Sequence, residues 1–529
     1  MRLSTRPASG PRAEKQPRLL PYRQRRALLL AAVAVFIAAF LASHWVDSLW
    51  EQGDDAYITY QYARRLAAGE GFTFSPGAPP SYGTTTPLWT LMLAAIARAG
   101  VPPHLAAPWL TSLLHAATAV LVLMVGVAIG GLALGLPAGA MVALSWSVFF
   151  RSGGMETALV TALTAALAYV VLGGRNRWWP GILLGLLLLA RIDTGLLAAV
   201  LLIGWACSRH DRRQYLIPNL VAAAFVCLPW TIYALVTFGD VIPFSLRAKL
   251  AFDVARGMNL RTFELWFVRN MPAGVFWLSV AMAGVGAVAV WLRRPRFRPF
   301  VVWVPVYYLA LRLGRAPDFL WYYLPPLWVA LLLVVAGAQT VAGALGRSAR
   351  RPLLAAVSLA VVAGYAYWSY AGIFPLLRPD PNLRLHRTLA DRVAAMSKPG
   401  DTVATPEVGY MAYYSGCRVL DLRALTCPEV IVRARARNLG AILRHWKPEF
   451  VVIREGGGEP AIRDAYVERG RYPYIGEMDY VIWQRKKPTE SRVYGYVHGC
   501  AENPLERSSL RDSAISRPTY CAKLNSGRG

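Results

Sequence analysis

The feature that most constrains this chain is a succession of long apolar runs, beginning at Ala27 and recurring to about residue 372. Most carry no polar face at helical spacing, so a helix formed there is apolar all round, as lipid or a very large core requires. A soluble chain of 529 residues would divide into domains with alternating polar and apolar faces. Only 16% of the residues are charged, against ~25% in soluble domains. The deficit extends over roughly the first 370 residues rather than one run.

Candidate membrane spans fall at 28–45, 86–100, 107–130, 155–173, 178–191, 194–208, 215–236, 275–292, 299–313, 319–341 and 352–372, about eleven helices. The apolar stretch 131–150 is short and broken by Pro137. It reads as another span or as a re-entrant piece inside the bundle. The run from Ala27 to about Trp45 is long enough to span, so the first helix is expected to be retained rather than cleaved.

The formal net charge of +27 is not a nucleic-acid signal here, because much of it lies in short Arg clusters beside apolar runs. The basic segment 1–27 is expected on the cytoplasmic side, together with Arg175–Arg177, Arg209–Arg213, Arg293–Arg298 and Arg347–Arg351. The external segments are then 46–85, the Arg191–Thr194 bend, 237–274 and 314–318. The clusters alternate correctly if 131–150 does not cross fully. An odd number of crossings places the C-terminal part outside, in a multi-pass protein of the cytoplasmic membrane.

The transmembrane part is thus 28–375, and composition changes near Pro379. Residues 380–486 read as a small α/β domain, with strands at Asp401–Thr405, Arg418–Leu422 and Phe450–Arg454. A helix is expected over Pro428–Trp446, and a closing hairpin over Tyr472–Ile475 and Tyr480–Gln484. The tail 487–529 is polar and is expected to be disordered. Of six cysteines, Cys207 and Cys227 lie in apolar segments, Cys500 and Cys521 in the tail, and Cys417 and Cys427 in the α/β domain, where an external location permits a disulfide.

The segment 46–85 carries Gly53-Asp54-Asp55-Ala56-Tyr57, two adjacent carboxylates just after the first span. Carboxylates are costly to desolvate at a membrane boundary. One of them is equally well read as an N-cap. Apolar spacing over Asp54–Ala68 predicts a short helix lying on the membrane surface.

The rest of this segment runs Gly69-Glu70-Gly71-Phe72, then Tyr82-Gly83-Thr84-Thr85-Thr86-Pro87-Leu88-Trp89. With Asp54-Asp55 it resembles the first external loop of polytopic GT-C glycosyltransferases. The likeness is to the bacterial branch of arabinofuranosyltransferases, RgtA/B/C/D-like and mannosyltransferase-like proteins, and extends from about residue 28 to 486. It implies a membrane all-α bundle with a small C-terminal α/β extracytoplasmic domain. It also implies sugar transfer from a polyprenyl-phosphate donor to a cell-envelope glycan, glycolipid or protein at the external face.

By the same resemblance Asp54 is the catalytic carboxylate, with Asp55 its neighbour. A carboxylate there can accept the proton of an attacking hydroxyl. Gly153-Gly154-Met155-Glu156 resembles a Gly-Met-Glu segment of the family and places Glu156 at substrate, although an acid at a helix start has a simpler dipole explanation. Arg191-Ile192-Asp193-Thr194 resembles an Arg-Pro-Asp-Gly turn, with Ile192 and Thr194 replacing Pro and Gly. Arg191 and Asp193 either bind substrate or pair with each other. Phe238-Gly239-Asp240 through Phe244, with Lys249, resembles a Phe-Gly-Asp loop and implies that Asp240 and Lys249 meet substrate and Lys249 the carrier phosphate. Asp54, Asp55 and Glu156 would also be the oxygen ligands of any Mg²⁺ or Mn²⁺. Glu407-Val408-Gly409, then Val419-Leu420-Asp421-Leu422 with Leu425-Thr426, resembles the external domain of the same branch, and Asp421, which follows a strand, reads better as satisfying a turn than as binding sugar. The rival classes are a transporter or flippase of lipid-linked sugars, against which no clear internal repeat is seen, and a non-catalytic envelope-assembly protein.

Overall fold

The computed structural model describes residues 22–48, 52–145, 153–174, 177–207, 211–251, 272–314, 319–345, 350–373, 381–430, 438–456, 462–474 and 478–486. The readings of residues 1–21, 252–271 and 487–529 lie outside the described residues.

The apolar runs fold as helices: α1 Tyr22–Ser48, α2 Asp54–Ala67, α3 Pro87–Arg98, α4 Pro103–Gly130, α5 Leu132–Ala143, α6 Thr157–Gly173, α7 Trp179–Ala190, α8 Gly195–Ala206, α9 Ile217–Phe238, α10 Phe244–Ala251, α11 Ala273–Arg293, α12 Arg298–Leu313, α13 Leu327–Leu345 and α14 Arg350–Ile373. Among the described residues, six of these are long and apolar enough to cross a membrane: those over Gln24–Asp47, Pro103–Gly130, Arg212–Phe238, Ala273–Arg293, Leu327–Ala344 and Pro352–Tyr370. Their outward faces are greasy, with Leu29, Val33, Ile37 and Leu41 of α1 and Phe225, Leu228 and Ile232 of α9 all exposed. In water such a surface would be prohibitive; in hydrocarbon it is the matching one.

Two glycine-mediated contacts bring helices close. A Cβ on Gly126 of α4 would lie 3.0 Å from Gly135 N of α5, and one on Gly337 of α13 would lie 3.0 Å from Gly286 N of α11. Without a hydrophobic force between helices in lipid, such backbone approach is what holds them.

The structure revises the reading of two segments. Gln52, just beyond α1, donates to the His104 carbonyl at the start of α4 at 3.4 Å, so the segment between them leaves and returns to one place. Within it, α3 has 12 residues, about 18 Å of helix, short of the ~30 Å hydrocarbon thickness. Arg98 at its end donates to the Ala67 carbonyl at 3.1 Å, which ties α3 alongside α2. The expected span 86–100 thus forms a 12-residue helix, Pro87–Arg98, packed along α2. Conversely, Gly135 faces Leu123 and Val127 while Gly139 faces Ala119 and Leu123, so α5 runs antiparallel against α4 as a second arm of a hairpin. The Pro137 break in the sequence sits inside that arm.

The C-terminal domain starts with α15 Pro381–Met396. A five-stranded sheet follows, ordered β2 Arg418–Asp421, β1 Thr402–Thr405, β3 Phe450–Arg454, β5 Tyr480–Arg485 and β4 Tyr466–Tyr472. The strand β1 is parallel to β2 and β3, whereas β3–β5 and β5–β4 are antiparallel. Two helices connect the strands, α16 Val408–Tyr414 and α17 Leu439–Trp446. The expected helix over Pro428–Trp446 is described only over Leu439–Trp446, and residues 431–437 of it lie outside the described residues. The hairpin's first strand begins at Tyr466 rather than Tyr472. Cys417 and Cys427 are buried free thiols, so no disulfide joins them. Asp421 is buried and accepts bonds from the backbone N–H of Arg423 at 2.7 Å, Leu425 at 2.8 Å and Thr426 at 2.9 Å, the turn-satisfying role.

Candidate active site

Helix α2 carries Asp54 and Asp55 in its first turn and Arg64 and Arg65 in its last, an arrangement that opposes the helix dipole at both ends. Its apolar face is not left open to a membrane surface. Ala56, Tyr57, Tyr60, Tyr62, Ala63 and Arg65 are all buried, covered by α3 and by α16 of the α/β domain. The reason is aromatic: Tyr57 stacks near Tyr410 with ring centroids 4.1 Å apart, and Tyr413 and Tyr414 close around it at 5.3 and 5.5 Å.

Gly53 is the N-cap of α2 and offers no side chain to cap it. The Asp54 carboxylate instead turns to α16. Its Oδ2 accepts the Gly409 N–H at 3.0 Å and its Oδ1 the Tyr410 N–H at 2.8 Å. A Cβ at position 409 would lie 2.9 Å from the Asp54 carbonyl carbon and 3.0 Å from Tyr57 Cβ, so only glycine permits this approach. Burial first, then the nearby Glu407 carboxylate, push Asp54 up to about 7, against the two backbone N–H bonds that favour its charged form. Asp55 is exposed.

Glu407 precedes α16 and gathers cationic and hydroxyl partners. Arg423 Nη2 lies 3.0 Å from its Oε1, the Tyr480 hydroxyl donates to it at 3.2 Å, and Arg454 Nη2 is 3.9 Å away. Arg454 in turn lies over the rings of Tyr474 and Tyr480. A small cavity here is lined by His386, Thr405, Glu407, Tyr410, Met411 and Tyr480 among others.

A second cluster centres on Arg191. Arg191 closes α7 and is buried. Its Nε and Nη2 donate to Asp193 at 3.0 and 2.5 Å, and its Nη1 donates to the Trp321 carbonyl at 2.9 Å. The Tyr307 hydroxyl donates to Asp193 at 2.7 Å. Glu156, buried at the start of α6, stands 3.8 Å from Arg191. The structure thus brings Glu156, Arg191 and Asp193 together, with Arg191 already engaged by two carboxylates. Asp240 accepts the Ile242 N–H at 2.9 Å and pairs with Arg247, which closes the loop before α10. The Lys249 side chain lies outside the described residues.

The expected metal ligands are not gathered. Asp54 is held by α16 and Glu156 by the Arg191 cluster, and among the described residues no group of three His, Cys, Asp or Glu side chains is placed to hold a metal ion. Among the described residues no such oxygen cage for Mg²⁺ or Mn²⁺ is formed.

Sequence reasoning gave no role to Glu407, Arg423, Arg454 or Tyr410. They lie roughly 350 to 400 positions beyond Asp54, and nothing local links them to it. The one available signal was the likeness of Glu407-Val408-Gly409 to the external domain of the same branch, which places a glycine between two predicted strands.

Residues 378–496 match a family described as a domain of unknown function (DUF8728). No curated protein sequence matches the chain. Among solved structures it resembles ArnT from Cupriavidus metallidurans, in the apo state (14% identity, TM-score 0.56, 87% of this chain and 98% of that one) and bound to undecaprenyl phosphate (13%, 0.54, 86% and 98%). It also resembles the oligosaccharyltransferase AglB from Archaeoglobus fulgidus in complex with an inhibitory peptide and a dolichol-phosphate (11%, 0.55, 87% and 74%). A crystal structure of the Archaeoglobus fulgidus oligosaccharyltransferase with Zn and sulfate is similar at 14% identity, with a TM-score of 0.54. The chain adopts the GT-C fold. Its GT-C bundle and α/β domain meet at α2 and α16, where Asp54 lies.

Proposed function

We propose that the protein is a membrane glycosyltransferase that moves a sugar from a polyprenyl-phosphate carrier to a cell-envelope acceptor at the external face of the cytoplasmic membrane, with Asp54 as the base. The observation that carries this reading is the Asp54 carboxylate, held where the bundle meets the α/β domain with its proton affinity raised to about 7. A base poised near the working pH is best matched to proton transfer. The two structural neighbours that hold undecaprenyl phosphate and dolichol-phosphate support a lipid-phosphate donor.

In the proposed step the acceptor hydroxyl oxygen attacks the anomeric carbon. A carbon–oxygen bond to the acceptor forms, and the bond from that carbon to the carrier phosphate breaks. The bonding pair leaves with the phosphate, and the hydroxyl proton passes to Asp54. Each carboxylate oxygen has a second lone pair beyond the one that α16 occupies. Arg191 is a weak choice for binding phosphate, since Asp193 and Glu156 already neutralise it. The branch of the family, the sugar and the external orientation are part of this proposal.

The test is incubation of membranes containing the protein with a panel of radiolabelled polyprenyl-phosphate sugars. One donor should lose its label to an acceptor. Movement of intact lipid-linked sugar between leaflets without transfer would favour a flippase instead.

A further inference from the structure

The α/β domain touches α2 at its most consequential point. Besides the two amides on Asp54, the Tyr410 hydroxyl donates to the Gln52 carbonyl at 2.6 Å, so one residue of α16 holds the chain on both sides of Gly53. Farther along, Arg64 donates to the Tyr413 carbonyl at 2.8 Å, His104 Nδ1 lies 2.9 Å from the Tyr413 hydroxyl, and the Tyr414 hydroxyl donates to Tyr57 at 3.2 Å. The domain also reaches the 69–86 segment, where Val419 N–H donates to Ser75 at 3.0 Å. Domain contacts of this kind are usually polar and yielding. Here instead a glycine allows backbone to approach backbone, and an aromatic layer seals the contact.

From this geometry we infer that Gly409 and Tyr410 are positioning residues: their backbone N–H groups, brought in by the external domain, fix the rotamer of the Asp54 carboxylate for the transfer step. The inference rests on the proposed role of Asp54 as base. A carboxylate in the first turn of a helix has free rotamers, and a free one spends much of its time turned away from an incoming hydroxyl. Two amides on its two oxygens leave one plane and one direction for the remaining lone pairs. The bundle alone then holds a donor from the lipid phase without being able to use it, and docking of α16 completes the site. Such misplacement by about 1 Å costs on the order of a hundredfold in rate.

The test uses the full-length protein in nanodiscs. In Gly409→Ala the added methyl pushes α16 off Asp54. The expected result is a fall in kcat of more than about tenfold with the donor KM within about twofold. A kcat within twofold of wild type overturns the inference, as does a rise in KM alone. Hydrogen exchange of the 408–411 segment supplies an arm without turnover. These amides should exchange faster in Asp54→Ala while the strands β1 and β3 keep their protection. Unchanged exchange in Asp54→Ala overturns the inference even if Gly409→Ala fails to fold. Failure of the base assignment looks different: Asp54→Asn would then retain full turnover, whatever the amides report.

Discussion

If Asp54 accepts the acceptor's proton, the rate of transfer must follow its ionisation. The base works only as carboxylate, so activity is lost as pH falls through its pKa. With that value raised from 3.8 to about 7, about one molecule in eleven is ionised at pH 6 and about ten in eleven at pH 8, a roughly tenfold difference in rate. An unperturbed Asp would give a flat profile over the same range. The second-largest cause of the rise is the Glu407 carboxylate, so Glu407→Gln should move the acidic limb downward. Removing that charge should therefore raise the pH 6 rate relative to the plateau. The assay is the initial rate of label transfer at saturating donor from pH 5.5 to 8.5. A wild-type rate that is level from pH 5.5 upward would refute the reasoning, and so would an acidic limb that Glu407→Gln leaves in place or moves upward.

Other outcomes follow from the packing. Arg191→Met strands Asp193 and Glu156 without their buried cation, at an expected cost of about 3–5 kcal/mol; thermal unfolding in detergent measures it, and an unchanged midpoint would show the cluster to be dispensable. Gly337→Ala drives a methyl into the Met282 carbonyl and to 3.0 Å from Gly286 N, which should destabilise the α11–α13 contact by about 1–3 kcal/mol, read by the same assay. Asp55 is exposed, so a cysteine at that position should react with a membrane-impermeant maleimide added outside intact cells; labelling only after lysis would place the acidic pair in the cytosol and end the proposed mechanism.

Much of this molecule was legible from residue order, for identifiable reasons. All-round apolar runs left helices in lipid as the only economical outcome, and the composition change near Pro379 marked a domain with a different solvent. Helix α2 was visible in its spacing, yet its setting was not. The face read as resting on a membrane is covered by Tyr410, Tyr413 and Tyr414, a contact between residues more than 340 apart. Apolarity could not say which neighbour α3 packs on, because lipid and protein both accept it; the Arg98–Ala67 bond places it along α2. Strand β4, Tyr466–Tyr472, was only glimpsed at its end. Glu468, Arg469 and Arg471 give it the charged look of a loop, the usual protection of an exposed sheet edge. In the candidate site, the pairing of Arg191 with Asp193 was one of two readings left open by spacing, and the structure forms that pair. The Asp54 clamp had no local signal beyond the Glu407-Val408-Gly409 likeness.

The most direct test compares wild type with Asp54→Asn, purified at full length in nanodiscs, for binding and for consumption of the polyprenyl-phosphate sugar that the panel selects. The account predicts that the Asn protein binds this donor as tightly as wild type and passes essentially none of its sugar to acceptor. Equal consumption by the two proteins would contradict it.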